Sequence, residues 1–254
     1  MASVEDTKRT NTTLKFINES LETFPNTKFT ASSLDFYSGQ PKDNGGTFFE
    51  PFQHIQMLQG LERTQPWKNP GGCPSITPID EHLDSCGQAR AVWNVILSYL
   101  TLNQDELAPG IVEGKGWKHS GDESLLVLTE PAPWKVESFM DKRDLQKPHI
   151  LCFLSNSSPL EEMVPSEAEL YTILWTVGSR MLDKAYQHHR IVPVIIVSAA
   201  GYRLRITQGH VDHEELVVRM TPVINFAAGE HENWDDFAQT LCWVVGNPIG
   251  VTTY

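Results

Sequence analysis

Cysteine is scarce, and the few present form no pattern. The four cysteines, Cys73, Cys86, Cys152 and Cys242, show no CxxC spacing and no histidine at ligand distance. This argues against a structural zinc site and against a fold built on disulfides. Cys152 in "HILCFLS" and Cys242 in "TLCWVVG" lie among apolar residues, where a thiol serves as a small buried hydrophobe. Positive charge is also short. A net charge of −12 and a pI near 5.1 exclude a protein whose whole surface grips phosphates, so any nucleic-acid contact must be local. No segment approaches the roughly 20 apolar residues of a membrane span, and "MASVEDTKRTNTTLKF" holds no apolar stretch of signal-peptide length. A cytoplasmic chain without membrane contact is therefore expected, and the sequons at Asn11, Asn18 and Asn156 carry little weight. Internal repeats, low-complexity tracts and a G-x-S-x-G nucleophile elbow are missing as well.

A hydrophobic share of 40% over 254 residues suits a folded domain with a real core. Residues 1–12 read as a disordered N-terminus, with a short helix near Leu14 to Phe24. The rest, 13–254, reads as a single domain, with the Pro/Gly-rich stretch 64–78 as the one place for an internal break. Helical periods run through "FQHIQMLQGLER" and from about Ser85 to Leu102. Pro165 and the S-x-x-E box of Ser166 and Glu169 predict a helix start, with the helix running to about His189. "SLLVLTE", "HILCFLS" and "IVPVIIV" read as short buried strands, the first two separated by a connection at 131–148. Arg203 to Gln208 alternates, "LVVRM" alternates again, and the turns between them suggest an antiparallel meander. A last helix is expected from Asn233 to Val245, stopped by Gly246 and Pro248. The predicted fold is α+β: a single domain in which an antiparallel meander of short strands packs against several amphipathic helices.

Chemistry has several candidate carriers. Residues 176–220 hold six Lys/Arg against four Asp/Glu, the one locally basic region of the chain. If the hairpin register holds, Arg203, Arg205 and Arg219 share one sheet face and could bind phosphate or carboxylate through forked hydrogen bonds. A solvated face paired with acidic neighbours accounts for the same residues. Ser198, at the mouth of a buried strand, has the placement of a nucleophile, with His188, His189, His210 or His213 as a base; an ordinary strand-end serine is the plain alternative. "GHVDHEE" has metal-site residue types at a spacing that fits a polar turn better, and no metal or cofactor is expected. Glu113 and Lys115 form an E-x-K pair of the kind found in magnesium-dependent nucleases, with Asp105 upstream.

"ENWDDFAQT" poses the sharpest question. Asn233 is a good N-cap, and Asp235 and Asp236 would then complement the helix dipole in the first turn. Asp235 and Gln239 are also i and i+4 on one face, where a carboxylate could bind a guanidinium or an amine, or act as a general base. With the "VPVIIVSAAGYRLRITQGHVD" strand block, this late acidic helix resembles the fungal arginine-containing cyclodipeptide synthases, over at most the last ninety residues. That family carries a D-D-x-x-E motif, whose counterpart here is Asp235-Asp236-Phe237-Ala238-Gln239. Gln239 keeps the length of a glutamate without its charge and cannot serve as a base. The resemblance implies an enzyme that joins the arginyl group of arginyl-tRNA to a second aminoacyl-tRNA's amino acid, giving a cyclic Arg-X dipeptide of secondary metabolism. The resemblance implies catalytic roles for Asp235, Asp236 and Gln239; with Ser198 from the strand reading as a further catalytic candidate, Arg203, Arg205 and Arg219 are the expected substrate-binding residues. Two alternatives stand beside it: a non-catalytic small-molecule or protein-binding module, and a metal-dependent nuclease or other hydrolase.

Overall fold

The computed structural model describes residues 4–43, 45–64, 75–76, 82–101, 117–119, 133–142 and 144–253. In chain order its elements are α1 (Val4–Glu22), β1 (Phe29–Ser33), β2 (Phe49–Glu50), α2 (His54–Thr64), α3 (Ser85–Thr101), β3 (Trp117–His119), β4 (Trp134–Lys142) and β5 (Ile150–Asn156). They continue with α4 (Glu167–Leu182), β6 (Val194–Ala200), β7 (Arg203–Asp212), β8 (Glu215–Met220), β9 (Ile224–Asn225), α5 (Trp234–Val244) and β10 (Asn247–Pro248). No helix among the described residues is long and apolar enough to cross a membrane.

One sheet organises the molecule, in the order β1-β8-β7-β6-β5-β4-β3, with β9 added beside β7. It is mixed, which corrects the expectation of an antiparallel meander. β1 pairs parallel with β8, and β5 parallel with β6. The second of these follows from α4: a helical crossover returns the chain to the starting end of the sheet, so the strand after it runs in the same direction. β6, β7 and β8 do follow one another antiparallel. Their links are two-residue turns, Gly201-Tyr202 and His213-Glu214, in which Gly201 (φ +59°) and His213 (φ +57°) adopt the left-handed backbone such turns require.

Helices cover both faces, so the apolar runs of β5 and β6 are buried on two sides. On one face α2, α3 and α5 pack over Phe153, Ile195, Val197, Leu204 and Ile206. There Trp93 of α3 stacks flat on Phe153, with ring centroids 4.5 Å apart. On the other face α4 and α1 cover Cys152, Leu154, Val194, Ile196 and Val218. α4 lies so close to β7 that a Cβ at Gly209 would sit 2.3 Å from Ile173 Cδ1, which accounts for the glycine.

Several element boundaries differ from expectation. α1 starts at Val4, inside the stretch read as disordered. α4 stops at Leu182, because Asp183 leaves the helical conformation (ψ 121°) and its carboxylate accepts from Ala185 N at 2.9 Å, capping a 3-10 turn. β4 occupies the segment read as a connection. Its alternation is broken by a bulge between Val136 and Ser138. Its charged end is buried, with Asp141 paired to Arg180 at 3.1 Å and Lys142 over the Trp117 ring. "SLLVLTE", Asp105, Glu113, Lys115, Cys73 and most of 64–78 lie outside the described residues.

Candidate functional site

Strand direction places the site. β6 is antiparallel to β7 and β7 to β8, so β1, β8, β6 and β5 all run the same way. Their carboxyl ends meet at one edge of the sheet, the end where open α/β sheets hold their ligands. Three loops gather there: 34–43 after β1, 221–233 after β8, and 157–166 between β5 and α4. Together with the first turn of α5 they enclose a cleft of about 640 Å³. Leu34, Phe36 and Ile224 give it an apolar floor. Asp236, Asp35 and Glu162 give it three carboxylates against one basic side chain, Lys42, among the described residues. Glu162 is followed by Met163, whose φ of +58° is uncommon for a residue other than glycine.

Asp236 is the part of the "WDDFAQ" segment that reaches the cleft. It lies in the first turn of α5, and its Oδ1 accepts from the Tyr37 hydroxyl at 2.7 Å. Partial burial of that hydroxyl, with the Asp236 bond and the Asp235 charge, pushes Tyr37 up to about 12. The phenol therefore stays protonated at neutral pH and orients the carboxylate without neutralising it. Asp35 is committed to its own turn: it accepts from Ser38 N (2.7 Å), Ser38 Oγ (2.8 Å) and Tyr37 N (3.2 Å), and the Ser38 bonds hold its carboxyl below the ordinary value. Asp235 is exposed. Asn233 sits at the N-cap position, but its side chain makes no capping bond and donates to Asn225 O at 2.6 Å. Its role is to tie the helix start to the loop that walls the cleft.

Gln239 does not face the cleft. It is fully buried, and its Nε2 donates to the carbonyls of Phe36 (2.9 Å) and Tyr37 (3.2 Å). Trp243 Nε1 donates to Phe36 O at 2.8 Å. The two side chains pin the loop that carries Tyr37, so Gln239 acts on the site by positioning. A carboxylate here would set an acceptor against two carbonyl oxygens, which explains why an amide stands where the resembled motif has an acid.

The three arginines do not share a face, contrary to the expected register. Met220 lies opposite Thr207, so Arg219 lies opposite Gln208, out of phase with Arg205. With both faces covered by helices, alternation alone could not tell which side each strand turned inward. Arg205 is fully buried on the α4 side. Its Nε donates to Glu169 Oε1 at 2.9 Å, a second nitrogen bonds Glu169 Oε2, and the guanidinium also donates to Glu161 O (2.7 Å) and Val164 O (2.8 Å). Glu169, the N3 residue of the predicted capping box, also accepts from Thr207 Oγ1 at 2.7 Å. Burial would raise its carboxyl, but Arg205 and these donors hold it low. Arg219, on the opposite face, bonds Asp43 Oδ2 at 2.9 Å and Gly46 O at 2.6 Å. Burial opposes ionisation of Asp43, yet the bonds from Arg219, Ser32 and Gly45 lower it to about 2. Arg203 alone is accessible, 4.0 Å from Glu162 at the cleft rim.

Ser198 is wholly buried in mid-sheet between Leu154 and Arg205, and among the described residues its hydroxyl has no partner. It is not among the residues that line the cleft. His210 is half-buried within β7, its ring against Phe48, and Asp212, the last residue of β7, lies 3.7 Å from His213 and 3.9 Å from Arg190, so the turn expected in "GHVDHE" is confined to His213 and Glu214. Among the described residues no three His, Cys, Asp or Glu side chains converge as metal ligands. Tyr37 and Glu162 went unnoticed in the sequence: neither lies in a motif, and only the meeting of three distant loops brings them together. The chain matches no known protein family, no curated protein and no solved structure.

Proposed function

We propose that the cleft binds the guanidinium or amine of a small cationic molecule. The observation that carries this reading is the meeting of Asp236 and Glu162 over an apolar floor at the carboxyl edge of the sheet. Asp236 spends one oxygen on Tyr37 and offers the other, and charge-assisted bonds of this kind are the strong ones. An apolar floor suits the methylene stem of an arginine- or lysine-like side chain.

The resemblance to arginine-containing cyclodipeptide synthases supplies the most specific ligand, the arginyl group of arginyl-tRNA. In that reading Asp236 and Glu162 hold the guanidinium, and a second aminoacyl-tRNA supplies the partner residue. Contact with the tRNAs falls to accessible groups such as Arg203, since Arg205 and Arg219 are spent on internal partners. A non-catalytic small-molecule-binding module is the second reading. It is favoured by one observation: Ser198, the expected nucleophile, does not reach the cleft.

Two measurements decide. Calorimetric titration of agmatine, which has a guanidinium and an amine but no carboxylate, should show saturable binding that weakens about tenfold in Asp236→Asn. Expression in a bacterial host with mass spectrometry of extracts should reveal cyclic Arg-X species if the enzyme reading holds. Agmatine binding without product selects the binding module, and no saturable agmatine binding overturns both.

A further inference from the structure

The cleft has two unlike ends, and the loop after β1 sets them apart. That loop is a narrow hairpin: Ser33 O accepts from Lys42 N at 3.0 Å, Leu34 bridges Pro41, and Asp35 N donates to Gln40 O at 3.0 Å. Lys42 therefore stands at its base and Tyr37 at its tip. The tip carries Asp236, bonded to the Tyr37 hydroxyl. The base carries Glu162, because the next residue, Met163, meets the Ser33 hydroxyl, 3.7 Å from its sulfur. Leu34 and Phe36 run between the two ends as the apolar floor.

Three charged groups in the cleft have bonding capacity to spare. Asp236 gives Oδ1 to Tyr37, and among the described residues its Oδ2 has no partner. Glu162 Oε2 accepts from Val223 N at 3.3 Å, while Oε1 has only Arg203 at 4.0 Å, beyond hydrogen-bond reach. Lys42 is exposed, and among the described residues its Nζ makes no hydrogen bond or ion pair, with Glu162 or with any other acid. Asp35, the third carboxylate, is taken by Ser38 and Tyr37 N, and the Lys42 charge is the least of the influences on it. The tip thus offers one acid, and the base offers one acid and one base.

A ligand that matches all three has a cation at one end, a methylene stem, and an ammonium with a carboxylate at the other. A diamine leaves Lys42 facing a like charge, and a simple carboxylic acid leaves both acids unmatched. We propose that the cleft binds a free α-amino acid with a cationic side chain, of the arginine or lysine kind. Its side-chain cation takes Asp236, its ammonium takes Glu162 and its carboxylate takes Lys42. This rests on the reading of the cleft as a cation site and adds the carboxylate to it. An aminoacyl ester lacks the charge that Lys42 recognises.

The test is calorimetry on the full chain at mildly acidic pH, where every free α-amine carries its proton. L-arginine is compared with argininamide, which lacks the carboxylate, N-acetylarginine, which lacks the ammonium, and citrulline, whose ureido group is neutral. Arginine should bind saturably and about fivefold tighter than argininamide, the upper end for an ion pair open to solvent. Lys42→Met keeps much of the stem and should close that gap. Glu162→Gln keeps an acceptor for Val223 N and should close the gap between arginine and N-acetylarginine. Citrulline should bind about tenfold weaker than arginine or worse. Saturable binding of agmatine and argininamide with no preference for arginine overturns the proposal and leaves the cation site standing, and so does a preference that survives Lys42→Met. If no guanidinium compound saturates, the cation site falls with it.

Discussion

Two sets of charged residues occupy the same edge of the sheet and are built in opposite ways. Beneath the 157–166 loop, Arg205 and Glu169 are fully buried and bonded on nearly every side by each other, by Thr207 and Ser166, and by two carbonyls. On the cleft side of that loop, Asp236 and Glu162 border an open cleft, Asp236 held by one tyrosine and Glu162 by a bond from Val223 N at 3.3 Å and a loose contact with Arg203. The first set is saturated and serves the fold. The second has capacity left over, and that spare capacity is what a ligand can use. Charge at a sheet edge is therefore not evidence of function until its partners are counted.

Breaking the saturated set should have the largest effect. Arg205→Ala strands a buried carboxylate and should cost about 3–5 kcal/mol of stability, read by urea denaturation. Loss of under about 1 kcal/mol would mean that water or relaxation rescues Glu169. Gln239→Glu, in the support behind Tyr37, comes next, at about 2–3 kcal/mol at neutral pH. A carboxyl there would have its folded pKa raised by burial and by the two carbonyls. The penalty should therefore be full above that raised pKa, shrink as pH falls from it toward the ordinary glutamate value, and be gone below that value, so melting curves of the variant and wild type should converge in acid.

Arg219→Gln probes the acid limb on the other face. The folded pKa of Asp43 is lowered to about 2 from 3.8. Its stabilisation is thus fully present above pH 3.8 and lost as pH falls toward 2. The variant should be less stable than wild type at pH 7, and the gap should close between those two values. A constant gap would show that the Asp43 bond is not what Arg219 contributes. The smallest change in stability belongs to the open set: Asp236→Asn should alter the unfolding free energy by less than about 1 kcal/mol, since a first-turn carboxylate on a helix is worth about that at most. A larger loss would place Asp236 with Arg205 among the structural charges.

The same contrast explains what could be read in advance. The α4 capping box, the apolar strands β5 and β6, the α3 and α5 helices and the turns at Gly201 and His213 are local patterns, each specified by neighbouring residues. Sheet direction is not local: nothing in "VPVIIVS" states that its neighbour arrives through a crossover and runs parallel. The faces of Arg205 and Arg219 are not legible for the same reason, because a sheet covered on both sides has no polar face to anchor the register. β4 escaped notice because a bulge breaks its period and because its buried charges, Asp141 and Lys142, look like surface residues until Arg180 and Trp117 are placed beside them. Of the expected site, Asp236 alone reached a cavity. Tyr37 was visible only as one aromatic in a turn.

A crystal structure of the protein soaked with agmatine tests the central claim most directly. The guanidinium or the amine should be bonded to Asp236 and near Glu162, with the stem over Leu34, Phe36 and Ile224. Agmatine bound elsewhere on the acidic surface, or an empty cleft at saturating concentration, would contradict it.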